Sequence, residues 1–183
     1  MGETPVLKGT IHSRMGFKVF HEARIIERRN GTLWILSRIE SGTYGGMEEA
    51  FSDNKGTTWT EFEMNLPAPL RGPGSRFHIR RLKSGALLLV NHDNEKCRSG
   101  LCAFLSDDDG DTWTKPYLID EREGVSYPDA CETSDGEIVI IYDRNRSTDA
   151  EILFVALRED EIRAEQKNSP LRGIVSRQKR DNT

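Results

Sequence analysis

Three polar series recur at fixed distances from three turn glycines. Nine residues before Gly31, Gly85 and Gly136 stand Glu22, Arg76 and Tyr127; seven residues after them stand Arg38, His92 and Asp143; thirteen after them stand Tyr44, Arg98 and Asp149. Most of these side chains are polar or ionisable, although the runs that contain them are apolar. Cationic groups converging on one place suit an anionic or polyhydroxylated ligand, because guanidinium groups grip carboxylates through paired, charge-assisted hydrogen bonds. The plainer alternative is a hydrated channel lined by paired charges.

The elements that must position these residues follow from the repeat itself. Ser52-Asp53-Asn54-Lys55-Gly56-Thr57-Thr58-Trp59 recurs 54 residues later as Ser106-Asp107-Asp108-Asp109-Gly110-Asp111-Thr112-Trp113. Upstream of each box an Asn-Gly or Ser-Gly turn precedes an apolar run, Leu33–Leu36 or Leu87–Val90, and Asp135-Gly136 precedes a third, Ile138–Ile141. Short β-branched and aromatic runs separated by such turns are hairpins. The first unit reads as four strands, near Glu22–Glu27, Leu33–Arg38, Gly46–Ser52 and Trp59–Glu63. A period of about 50 residues with four strands per unit is the pattern of a β-propeller blade. The chain is therefore expected to be all-β, a partial propeller of about three four-stranded antiparallel blades within one domain over 1–183. The blades fall near 17–66, 75–120 and 125–158. The last is expected to be incomplete, its outer strand supplied by an N-terminal segment as ring closure requires. A strand at Ile152–Leu157 leads to a short C-terminal helix near Glu159–Gln166, and 167–183 reads as a basic, frayed tail. Inside each box, Ser and Asp bond nearby amides, Gly takes the left-handed turn position, and Trp59 or Trp113 is expected to be buried. The run Asp107–Asp109 reads as a solvated turn rather than a calcium site.

Composition narrows the function classes. Of 183 residues 36% are hydrophobic and 31% charged, which fits a thin, sheet-based core. The net charge of −4 and the lack of a basic stripe exclude a general nucleic-acid surface. There is no run of apolar residues long enough for a transmembrane helix, so no membrane partner is expected, and Met1–Thr10 carries no apolar signal core; the compartment is left unassigned. Cys97, Cys102 and Cys131 make neither a disulfide framework nor a zinc site, and no metal or cofactor is expected.

The boxes and the segments between them, from about Gly16 to Leu157, resemble the sialidase (neuraminidase) superfamily, which carries Asp-box (BNR) repeats on a six-bladed propeller. His21-Glu22, Asn30-Gly31-Thr32-Leu33 and Ser37-Arg38 resemble the family stretch in which a Glu opens an inner strand and an Arg follows sixteen residues later. Arg98, eight residues before Ser106, resembles another member of the family's arginine triad, and Ser126-Tyr127 resembles the strand that carries its tyrosine nucleophile. The segments Arg76–Leu82 and Ser126–Asp129 are similar to a bacterial sialidase-like subgroup. The resemblance implies a hydrolase acting on terminal sialic acid or a related anionic glycan, with Tyr127 as nucleophile, Glu22 as its base, and Arg38 and Arg98 as carboxylate clamps. A neutral tyrosine suits a substrate whose anomeric carbon bears a carboxylate that would repel an Asp or Glu. Arg76 and His92 join the binding set by register. The resemblance places a first triad arginine and an Asp acid/base on N-terminal blades to which these three units have no counterpart. The other reading is a non-catalytic module that binds glycans or proteins, and the open edges of such an arc are expected to self-associate.

Overall fold

The computed structural model describes residues 9–11, 20–41, 44–64, 66–164 and 171–177. Among the described residues, apolar runs broken by turn glycines give eleven strands, and the two boxed units and the third fold into three antiparallel sheets. The first sheet holds β1 (Phe20–Glu27), β2 (Leu33–Ser41) and β3 (Tyr44–Ser52). A bridge from Glu49 to Glu63 stands where a fourth strand was expected. The second holds β4 (His78–Arg81), β5 (Leu87–His92), β6 (Leu101–Ser106) and β7 (Tyr117–Asp120) in that order. The third holds β8 (Val125–Glu132), β9 (Glu137–Arg144), β10 (Glu151–Arg158) and, after α1 (Glu159–Arg163), β11 (Leu171–Ser176).

The third blade corrects the expectation of an incomplete last unit and a frayed tail. Its outer strand comes from the chain's own C-terminal part: β11 pairs antiparallel with β10, Phe154 opposite Gly173 and Val155 opposite Arg172. Gly173 permits this close approach, since a Cβ there would lie 2.3 Å from the Phe154 ring. The basic residues had hidden a strand whose apolar positions, Ile174 and Val175, remain exposed.

Alternation along the strands builds two seams. Trp34 and Leu36 of β2 face Leu87 and Leu89 of β5 in one cluster. Leu88 and Val90 of the same β5 face Ile138 and Ile140 of β9 in the other. Period-two alternation thus lets the middle blade bury both faces, which is why all six residues of β5 and of β6 are buried. Burial also pushes the Cys102 thiol up to about 12, so it is packing rather than chemistry.

The boxes fold as the residue types dictate. Ser52 Oγ accepts from the Gly56 amide at 2.9 Å, Asn54 Oδ1 from the Thr58 amide at 2.8 Å, and Trp59 Nε1 donates to the Gly56 carbonyl at 3.2 Å. Ser106, Asp108, Thr112 and Trp113 repeat the pattern at 2.8, 2.8 and 3.1 Å. The box tryptophans are only half-buried, contrary to expectation; the deeply buried one is Trp34, 3% exposed, against whose ring Gly110 of the second box packs. Nor is the acidic run simply solvated. The Arg29 amide donates to Asp109 Oδ2 at 2.7 Å, Arg81 Nη1 lies 2.7 Å from Asp109 Oδ1, Arg28 pairs with Asp111, and Arg163 of α1 makes a two-pronged contact with Asp107 at 2.7 and 2.8 Å. Residues from all three blades meet at this one turn.

Candidate active site

Two β-bulges set the site. On β1 the pairs His21–Arg38 and Arg24–Leu36 leave Glu22 and Ala23 opposite the single residue Ser37. On β8 the pairs Ser126–Asp143 and Asp129–Ile141 leave Tyr127 and Pro128 opposite Tyr142. The bulges occupy the same repeat position, and their first residues, Glu22 and Tyr127, have φ of 24° and 54°. Left-handed backbone at a non-glycine residue costs about 1–2 kcal/mol, and such strain concentrates where a side chain must be re-aimed. Pro128 is tolerated because a bulged residue need not donate to the ladder.

The re-aimed side chains meet. The Tyr127 hydroxyl donates to Glu22 Oε1 at 3.0 Å, and Arg38 Nη1 donates to Glu22 Oε2 at 2.7 Å and to the Tyr127 oxygen at 3.1 Å. These bonds join the first and third blades across 105 and 89 residues of sequence. Arg38 is almost fully buried, whereas the Glu22 side chain is one-third exposed. Arg98, from the loop between β5 and β6, places its guanidinium carbon 5.9 Å from the centre of the Tyr127 ring. Such an arrangement can take a proton from the phenol onto Glu22 while Arg38 stabilises the charge left on oxygen.

Arg76 and His92 lie differently. Arg76 Nη2 is 3.7 Å from Asp129 Oδ2. His92, 2% exposed, hydrogen-bonds through Nε2 to the Val125 carbonyl at 2.9 Å, two residues before Tyr127. Burial, opposed by that bond and aided by the Arg98 charge, lowers its pKa. His92 therefore braces the strand that carries Tyr127 and is not brought to the exposed side of the cluster.

Two sets of residues went unread in the sequence. Arg24, His78 and Asp129 stand two positions after Glu22, Arg76 and Tyr127, so the same register points to them. His78 Nδ1 lies 2.7 Å from Asp129 Oδ1, though without the alignment of a hydrogen bond. Burial pushes the His78 pKa down to about 4, with Asp129 opposing and Arg24, Arg80 and Arg76 reinforcing. Arg146, which no register position marks, places its guanidinium carbon 4.0 Å from the centre of the Tyr127 ring. Among the described residues no group of His, Cys, Asp and Glu could hold a metal ion.

Three antiparallel blades, with Glu22 and Tyr127 on the inner strands of the first and third, define a partial propeller of the sialidase-like kind. The chain belongs to the family of BNR repeat-like domains, whose model matches residues 12–140. No match to a curated protein is found. Among solved structures the fold is similar to an α-L-arabinanase of Penicillium chrysogenum complexed with arabinobiose, at 17% identity and a TM-score of 0.55, over 76% of this chain and 46% of that one. It is also similar to an α-L-arabinofuranosidase of Fusarium graminearum in complex with an iminosugar inhibitor, at 18% identity and a TM-score of 0.54, over 76% of this chain and 45% of that one. A Hadza microbial sialidase matches at 18% identity and a TM-score of 0.50, over 75% of this chain and 31% of that one. The chain thus spans less than half the length of each of these proteins. The shared feature is a BNR-type propeller fold that hosts glycoside hydrolases.

Proposed function

We propose that the chain carries half of a sialidase-like glycosidase site, acting on a terminal sialic acid or a related anionic glycan. The observation that carries this reading is the triangle of Tyr127, Glu22 and Arg38, with both bonds of the tyrosine oxygen at 3.0 and 3.1 Å. Tyr127 Oη attacks the anomeric carbon, its proton passes to Glu22, and the glycosidic C–O bond breaks with the electron pair leaving on the aglycone oxygen. Water then releases the sugar from tyrosine, returning the proton. Arg38 stabilises the phenolate as it forms, and Arg98 binds the substrate's carboxylate. His92 holds the Tyr127 strand. The reading assigns protonation of the leaving oxygen to a carboxyl group on blades beyond these three.

That assignment sets the test. A sialic acid fluorinated at C2 and C3 loses fluoride, which needs no acid, so attack by Tyr127 forms the new O–C2 bond as C–F breaks. The expected result is a covalent adduct on the Tyr127 peptide by mass spectrometry, abolished in Tyr127→Phe and slowed in Glu22→Gln. Labelling that persists in Tyr127→Phe, or none in the wild-type chain, refutes the reading.

A further inference from the structure

At the repeat position where the first blade supplies Arg38, the third supplies Asp143. Asp143 recruits a cation in its place. Its Oδ2 accepts from Arg146 Nε at 3.0 Å and also from Nη2, while its Oδ1 accepts from Ser126 Oγ at 2.5 Å. Ser126 immediately precedes Tyr127, so one carboxylate ties Arg146 to the strand of the tyrosine. Arg146 then lies over the Tyr127 ring at 4.0 Å, with Arg98 at 5.9 Å from the same ring.

Three features separate Arg146 from a merely structural cation. Its side chain is 52% exposed, in contrast to the 4% of Arg38. Nε and Nη2 form the guanidinium edge engaged by Asp143, which leaves Nη1 at the opposite end of the plane. Finally, Arg98, which shares the Tyr127 ring with Arg146, has no carboxylate partner among the described residues, so its positive charge stands uncompensated there. A single bound anion neutralises it.

We propose that Arg146 is a ligand-binding residue of this site and that, together with Arg98, it grips the carboxylate of an acidic sugar against Tyr127. The proposal rests on the glycosidase reading and deepens it: the third cationic group comes from this chain, not from other blades. The cation–π contact holds the guanidinium at the ring, and the Asp143 bond fixes its plane.

The test is calorimetric titration of the full chain with N-acetylneuraminic acid, glucuronic acid and arabinose. The first two distinguish the sources of a sugar carboxylate; the third is neutral. Wild-type protein is expected to bind at least one acid more tightly than arabinose. Arg146→Met should weaken that acid by about tenfold or more, the scale of one charge-assisted hydrogen bond, without changing arabinose binding. Arg146→Lys should recover part of the loss, since it keeps the charge but not the planar fork. If Arg146→Met fails to fold, as read from its near-ultraviolet dichroism, Arg146→Lys carries the test and should still bind several-fold more weakly than wild type. Unchanged acid affinity in the folded Arg146 variants, with loss in Arg98→Met, overturns the role of Arg146 and leaves the glycosidase reading standing. No preference for either acid, with Tyr127 still labelled by the fluoride, overturns the anion site alone. Loss of both overturns the two together.

Discussion

Replacing Glu48 by glutamine should make the protein more stable, by an amount that grows with pH and is complete only above neutral pH. Glu48 lies on β3 opposite Ser37, is fully buried, and neither of its carboxylate oxygens has a hydrogen-bond partner among the described residues. Burial alone raises its pKa from 4.5 to about 7. The unfolded chain ionises this group near 4.5, whereas the folded protein keeps it neutral to about 7. Folding therefore carries no penalty from Glu48 below pH 4.5, a growing one between 4.5 and 7, and the full one above 7. At about 1.4 kcal/mol per pH unit the ceiling is about 3 kcal/mol. Relaxation of the surroundings and water penetration around the ionised carboxylate reduce this to about 1–2 kcal/mol. Glutamine keeps the shape and cannot ionise. Thermal melts followed by circular dichroism should show Glu48→Gln close to wild type at pH 5 and about 2–8 °C more stable at pH 8, at about 2–4 °C per kcal/mol for a domain of this size. The same difference at both pH values, or a less stable variant at pH 8, refutes the reasoning.

Trp34→Ala should cost about 3–5 kcal/mol in urea unfolding, and the half-buried Trp113→Ala clearly less; equal losses contradict the seam described for Trp34. The His78 imidazole should stay neutral until the pH falls to about 4, as read from its ring NMR shifts, so stability falls as pH drops from its ordinary value of 6.5 towards 4, and His78→Gln should flatten that slope. Gly110→Ala should destabilise by about 1–3 kcal/mol, because φ is +99° and the new Cβ would lie 2.7 Å from the Trp34 ring; a neutral outcome in the same unfolding assay counts against that packing. Exposed Ile25 at one end of the arc and Ile141 at the other should drive association of two copies in sedimentation, which Ile25→Lys should lessen.

The repeat made much of this legible. Successive offsets of 54 and 51 residues placed Glu22 and Tyr127 at equivalent inner-strand positions, and the structure puts both on matching bulges. Bulges themselves are invisible to alternation, since an extra residue looks like a shifted register. Arg146 was unreadable for a different reason: its partner is a side chain, Asp143, and no backbone period records a bond between side chains. β11 was missed because Arg172 lies within it and Arg177 follows it, and charge on an edge strand resembles the charge of a tail. The box tryptophans were overvalued. Their indole N–H groups bond back to the turn, and the rings stay half-buried at its margin, Trp113 packing against the Trp34 seam without being enclosed by it.

The turn at Asp107–Asp111, gripped from three blades, bears on the order of folding events. Each blade is a set of hairpins between sequence neighbours, cheap to close and fast to form. The bonds from Arg29 to Asp109 and from Arg163 to Asp107 span 80 and 56 residues, so they can form only after whole blades have docked. Such late contacts contribute little to the transition state and much to the barrier against leaving the native state. The acidic turn thus acts as a latch: removing its charges hastens unfolding while leaving the rate of folding nearly as it was, and added salt, by screening its more exposed pairs, acts in the same direction.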